Sequence, residues 1–102
     1  MELRHLRYIV AVADERHMTR AAERLGIQQP PLSQQIRAIE RELGIQLFRR
    51  RPRGMEPTQA GAALATEARA ILARVEHAAA AAQRTARGEA GRLGLGFTSS
   101  AS

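Results

Sequence analysis

Residues 18–43 read MTRAAERLGIQQPPLSQQIRAIEREL, two short amphipathic helices joined by a tight turn. In the first, Met18, Ala21, Ala22 and Leu25 recur at i, i+3, i+4, i+7, the repeat that lines one helical face. Gly26 ends it, because glycine takes the left-handed conformation that closes a helix at no steric cost. Pro30 and Pro31 suit the first turn of the next helix, whose N–H groups lack intrahelical partners anyway. That helix turns Leu32, Ile36, Ile39 and Leu43 towards a core, while its opposite face carries Pro30, Ser33, Gln34 and Arg37. One face packed and the other free to enter a major groove is the requirement of a helix-turn-helix recognition helix.

Working outward, residues 2–13 predict a helix with Leu3, Leu6, Val10 and Ala13 on one face and Ile9 beside them, ending at the polar turn Asp14-Glu15-Arg16-His17. Gly44 closes the recognition helix as Gly26 closed its predecessor, and the isoleucine after each (Ile27, Ile45) is expected to fold back on the helix it follows. Beyond Gly44 the period changes. Leu47 and Phe48 are strand formers, Arg49-Arg50-Arg51-Pro52-Arg53-Gly54 combines turn residues with arginines, and Met55-Glu56-Pro57 makes a short return. The expectation is a small β-hairpin with a basic tip, a wing; the competing reading is a solvated basic loop.

Thr58 is a good N-cap, and a helix is predicted over residues 59–87. At 1.5 Å per residue it would be on the order of 43 Å long, more than a small three-helix core covers. Leu64, Ala68, Ile71, Val75, Ala78 and Ala82 alternate spacings of 4 and 3, a heptad seam that Leu72 widens. A lone helix with this stripe leaves apolar surface in water, so pairing with its own copy is expected; the alternative is a helix folded back on its own domain. From Gly88 the chain turns glycine-rich, and residues 92–97 alternate like the opening strand of a following domain.

The sequence thus predicts a mostly α fold: a winged helix-turn-helix of three helices plus a short two-stranded β-wing (1–57), a long dimerisation helix (58–87), and a hinge with a truncated first strand (88–102). At 102 residues this is one small domain with an appendage. Sixteen basic residues, all arginine, against 10 acidic ones leave a net charge of +6 that favours a polyanionic partner. The all-arginine usage fits either phosphate and guanine recognition by arginine's planar fork or a GC-rich codon bias; the excess charge is a separate matter. Cysteine is absent, so disulfide, thiolate-metal and thiol chemistry are excluded. A cytoplasmic home fits, and no apolar run approaches the ~20 residues of a membrane span. Three aromatics (Tyr8, Phe48, Phe97) are too few for a base-stacking platform, which favours duplex DNA over single strands. His5, His17 and His77 are scattered without metal-ligand spacing, and no nucleophile elbow or phosphate loop occurs. No catalysis, metal or cofactor is expected.

These pieces together resemble the LysR-type bacterial transcriptional regulators. The resemblance is carried by Met1-Glu2-Leu3-Arg4-His5-Leu6-Arg7-Tyr8, Thr19-Arg20-Ala21-Ala22-Glu23-Arg24-Leu25, Gln29-Pro30-Pro31-Leu32-Ser33, Ile39-Glu40, Leu43-Gly44-Ile45-Gln46-Leu47-Phe48-Arg49-Arg50 and Pro57-Thr58-Gln59-Ala60-Gly61. It covers about residues 1–97, and its wording is most similar to regulators of aromatic-compound degradation. It implies a DNA-binding head, a linker helix that dimerises, and a small-molecule effector domain beyond this chain. Tetramers that bind an interrupted palindrome and contact RNA polymerase are also implied.

By the same resemblance, Gln29, Pro30, Pro31, Ser33 and Gln34 match the groove-facing start of the recognition helix, and Arg53 matches a wing-tip probe of the minor groove. Arg37, one turn on, would reach a base or a phosphate. Thr19, Arg20, Arg49, Arg50 and Arg51 are placed for phosphates, which position without reading sequence. The seam of Leu64, Ala68, Ile71, Leu72, Val75 and Ala78 would dimerise. Position 34 is often arginine in the family; the glutamine here suits adenine better than guanine. Two other functions compete: a helical protein-interaction module with non-specific DNA affinity, and the DNA-targeting head of an enzyme such as a transposase.

Overall fold

Each apolar period described above becomes an element. The computed structural model describes residues 1–94, in the order α1 (Leu3–Glu15), α2 (Met18–Leu25), α3 (Gln29–Leu43), β1 (Phe48–Arg51), β2 (Gly54–Pro57) and α4 (Gln59–Gly94). The winged helix-turn-helix expectation therefore holds: three helices, an antiparallel two-stranded sheet, then a long helix. The hairpin pairs Phe48 with Pro57, Arg49 with Glu56, Arg50 with Met55 and Arg51 with Gly54, leaving Pro52 and Arg53 at the tip.

α1 starts with a capping box in which the Glu2 side chain serves the His5 backbone and His5 Nδ1 accepts from Glu2 N–H at 2.9 Å. It runs two residues past the expected end, to Glu15, and stops because Arg16 adopts the left-handed conformation at φ 53°. His17, which pattern alone assigns to a turn, caps α2: its Nδ1 accepts the Arg20 N–H at 3.2 Å. Gly26 and Gly44 close α2 and α3 in the left-handed region as expected.

Ile9, Val12, Leu32, Ile39 and Leu47 are the largest fully buried side chains, the centre of a core that also takes in Met18, Ala21, Ile36, Phe48 and Ala65. Ile27 packs against this core, but Ile45 is exposed, as are Leu3 and Leu43. The buried stripe of α3 therefore ends at Ile39, one turn short of its expected limit.

Three contacts fix the wing and α4 on the core. Thr58 caps α4 by accepting the Gly61 N–H at 3.0 Å, while its own hydroxyl donates to the carbonyls of Gln46 (2.7 Å) and Leu47 (3.2 Å). A Cβ on Gly61 would collide with the Leu47 carbonyl, so only glycine lets α4 approach this closely. Met55 N–H donates to the Arg16 carbonyl at 2.9 Å, and a Cβ on Gly54 (φ 146°) would strike that same oxygen.

A second apolar cluster changes the reading of the seam. Ala68 is fully buried against Leu6 and Val10 of α1, with Leu64 and Leu72 half-buried beside it. Leu6 and Val10 need a cover, and the first turns of α4 supply it. The expectation that Ala68 faces a partner is corrected accordingly: it serves its own domain. Ile71, Val75 and Ala78 stay exposed.

Two units are distinguished by their internal contacts, Met1–Leu72 and the part that begins at Ala73. α4 continues through Gly88 to Gly94 rather than ending near residue 87. One helical glycine costs only about 1 kcal/mol relative to alanine, and the flanking Arg87, Glu89 and Ala90 are helix formers. The rest of the expected hinge and strand, residues 95–102, lies outside the described residues.

Candidate nucleic-acid interface

The polar face of α3 begins at its N-terminus, where Pro30 and Pro31 occupy the first turn without wasting donors. Pro30, Gln34 and Arg37 are exposed, as the i, i+3, i+4, i+7 pattern requires; Pro31 is also exposed, and Gln29 is half-buried. Ser33 departs from that pattern. It is buried, 8% exposed, and its Oγ accepts from Gln29 Nε2 at 2.6 Å. On a helix, position 33 borders the stripe of Leu32, Ile36 and Ile39, and a side chain this small is covered along with them.

The wing brings its arginines to the same place. An open cleft of about 450 Å³ is lined by His17, Met18, Thr19, Gln29, Arg50, Arg51, Pro52, Arg53, Gly54 and Met55. Thr19, Gln29, Arg50, Arg51 and Arg53, expected from sequence, thus meet around one opening. Gln34 is not part of its lining; Arg37 instead borders a shallow hollow with Glu40, Arg41, Gly44, Ile45 and Gln46.

Arg51 is not simply solvated. Its guanidinium binds Glu56 on the neighbouring strand, Nε at 2.7 Å and a terminal nitrogen at 2.6 Å. That partner, reinforced by Arg16 and Arg49, holds the Glu56 carboxyl below its usual range. Arg49, Arg50 and Arg53 are exposed on the same hairpin. A hairpin with this much positive charge, held at a fixed position by the Arg16 carbonyl, is built for an anionic surface.

Several supporting residues carry no motif in the sequence. Glu40 of α3 accepts backbone N–H groups from Leu47 (2.8 Å) and Phe48 (3.2 Å). Glu42 binds the Met1 amine at 3.1 Å. Asp14, in the polar turn, receives Arg24 at 2.9 Å and also Arg69 of α4. Among the described residues no group of His, Asp and Glu has the geometry of a metal site, and no helix is long and apolar enough to cross a membrane.

Residues 3–62 match the family model described as bacterial regulatory helix-turn-helix protein, lysR family. The chain is 55% identical over 101 residues to the uncharacterized HTH-type transcriptional regulator YnfL of Escherichia coli K12, a match covering 99% of this chain and 34% of that protein. It is 58% identical over 100 residues to the HTH-type transcriptional regulator BudR of Klebsiella aerogenes, covering 98% of this chain and 70% of that one. The chain therefore spans about a third of the length of YnfL. Its backbone is similar to that in the crystal structure of the BenM_DBD/benA site 1 DNA complex, with TM-score 0.82 and 46% identity over 86% of this chain and 99% of that one.

Proposed function

The chain belongs to the LysR family of bacterial regulatory helix-turn-helix proteins, and from that premise we propose how it binds duplex DNA sequence-specifically to control transcription. The observation that carries this reading is the shared opening where Gln29 of α3 meets Thr19 of α2 and Arg50 and Arg53 of the wing. It joins a groove-sized helix start to charge placed for the flanking phosphates. The BenM_DBD complex with benA site 1 DNA supports it, as a similar backbone bound to a duplex.

In this reading the start of α3 enters the major groove. Gln29, Pro30, Pro31 and Gln34 meet base edges, and Arg37 reaches a base or phosphate one turn on. Arg53, at the hairpin tip, enters the adjacent minor groove, where narrow A·T-rich segments attract guanidinium groups. Thr19, Arg20, Arg49 and Arg50 hold phosphates, with Arg51 shared between phosphate and Glu56. The exposed Ile71, Val75 and Ala78 pair with their copies, giving a dimer whose two heads bind the halves of an interrupted palindrome in the cytoplasm. In the whole protein, tetramer formation, a small-molecule effector and contact with RNA polymerase complete the switch; catalysis has no part in it.

Titration of duplexes at two salt concentrations tests this. Gln29→Ala should lower preference for a selected site over random DNA by ~1–3 kcal/mol. Arg50→Ala should weaken both alike and reduce the salt slope by about 1. Equal losses on both duplexes for Gln29→Ala would overturn its role, and sedimentation as a monomer at micromolar concentration would overturn the dimer.

A further inference from the structure

Ser33 lies one helical turn after Gln29 and is covered by the core, so its hydroxyl meets Gln29 rather than solvent. At 2.6 Å the Oγ takes one hydrogen of the Gln29 amide. The second amide hydrogen and the carbonyl oxygen are left uncommitted by that bond. A carboxamide held at one corner has less rotamer freedom to lose when it meets a base. One donor and one acceptor side by side match the major-groove edge of adenine, with its N7 acceptor and N6–H donor.

We propose that Ser33 is a positioning residue, reading no base itself but fixing the Gln29 carboxamide for an adenine. The proposal rests on the DNA-reading function above. It assigns the selectivity of this helix start to a pair of residues, one exposed to the groove and one beneath it.

The test uses the chain itself and a duplex selected by it from a random library. Each adenine of that duplex is replaced in turn by 7-deazaadenine, which removes only the N7 acceptor. For the wild-type chain, one replacement should weaken binding about tenfold. In Ser33→Ala the same replacement should cost less than about twofold, and the Gln29→Ala, Ser33→Ala double variant should bind like Gln29→Ala alone. Alanine is the better helix former and removes only a hydroxyl, so the variant should unfold no earlier than wild type. A Ser33→Ala variant that keeps the 7-deaza penalty, or losses that add in the double variant, would overturn the positioning role. Wild-type binding that is equal on selected and scrambled duplexes would overturn the DNA-reading proposal, and this one with it.

Discussion

The carboxylate of Glu40 accepts the backbone N–H of Leu47 at 2.8 Å, and through the same oxygen that of Phe48 at 3.2 Å. A side chain of α3 thereby satisfies the two amides at which the chain turns into the wing. Glu40→Ala leaves both without their partner and should destabilise the domain by about 2 kcal/mol. The melting temperature falls by roughly 10 °C in a domain of this size. Glu40→Gln keeps an acceptor and should cost less; calorimetry on both variants checks the order.

Three glycines should respond in opposite directions. Gly54→Ala and Gly61→Ala drive a methyl into the carbonyls of Arg16 and Leu47, and each should cost about 1–3 kcal/mol. Gly88 has open space around it inside α4, so Gly88→Ala should add helix stability of about 0.5–1 kcal/mol. Denaturant midpoints for the first two and far-ultraviolet circular dichroism for the third measure these effects.

Arg16 is a branchless but bulky residue at φ 53°, a conformation costing roughly 1–2 kcal/mol outside glycine. Arg16→Gly keeps the carbonyl that holds Met55 and should raise stability by about 1 kcal/mol, read as a higher urea midpoint at constant slope.

Acid should expose the role of Asp14. Burial opposes its ionisation, but hydrogen bonds from Arg69 and Arg24, with their charges, outweigh it and hold the carboxyl below 3.8. A depressed folded value means the unfolded chain binds the proton first. The contribution is therefore fully present above the ordinary carboxylate range and fades as pH drops through the lowered folded value. Asp14→Asn should flatten the acid limb of a stability–pH curve and leave its shape near neutrality unchanged.

Gln34 is exposed at the start of α3. On the proposed reading, in which Gln34 meets a base edge, Gln34→Arg should move preference at that base from adenine towards guanine by ~1–3 kcal/mol. Selection from a random duplex library with both chains reads the change directly; identical selected sites would contradict it.

What the chain displays openly is punctuation and period. Gly26, Gly44 and the Pro30-Pro31 pair mark helix ends, and Arg49–Gly54 marks a turn between short strands. Those signals act locally, so three helices and a wing were legible. The misses arise where a residue answers to something distant in sequence. Nothing near Ala68 announces that Leu6 and Val10 need covering, and nothing near Ser33 announces that its hydroxyl meets Gln29 beneath the exposed face. Arg16 is hidden for a related reason: its backbone conformation ends α1 and serves β2 at once. The helix end was misplaced because Gly88 looks like a stop when judged alone, while its neighbours carry the helix on.

The burial of Ser33 beside the exposure of Gln34 has a consequence for descent. In the proposed reading a change at position 33 acts through the orientation of Gln29, whereas a change at the exposed position 34 acts only on what the protein binds. In that reading, a relative that binds a different duplex sequence should differ at position 34 before it differs at 29 and 33.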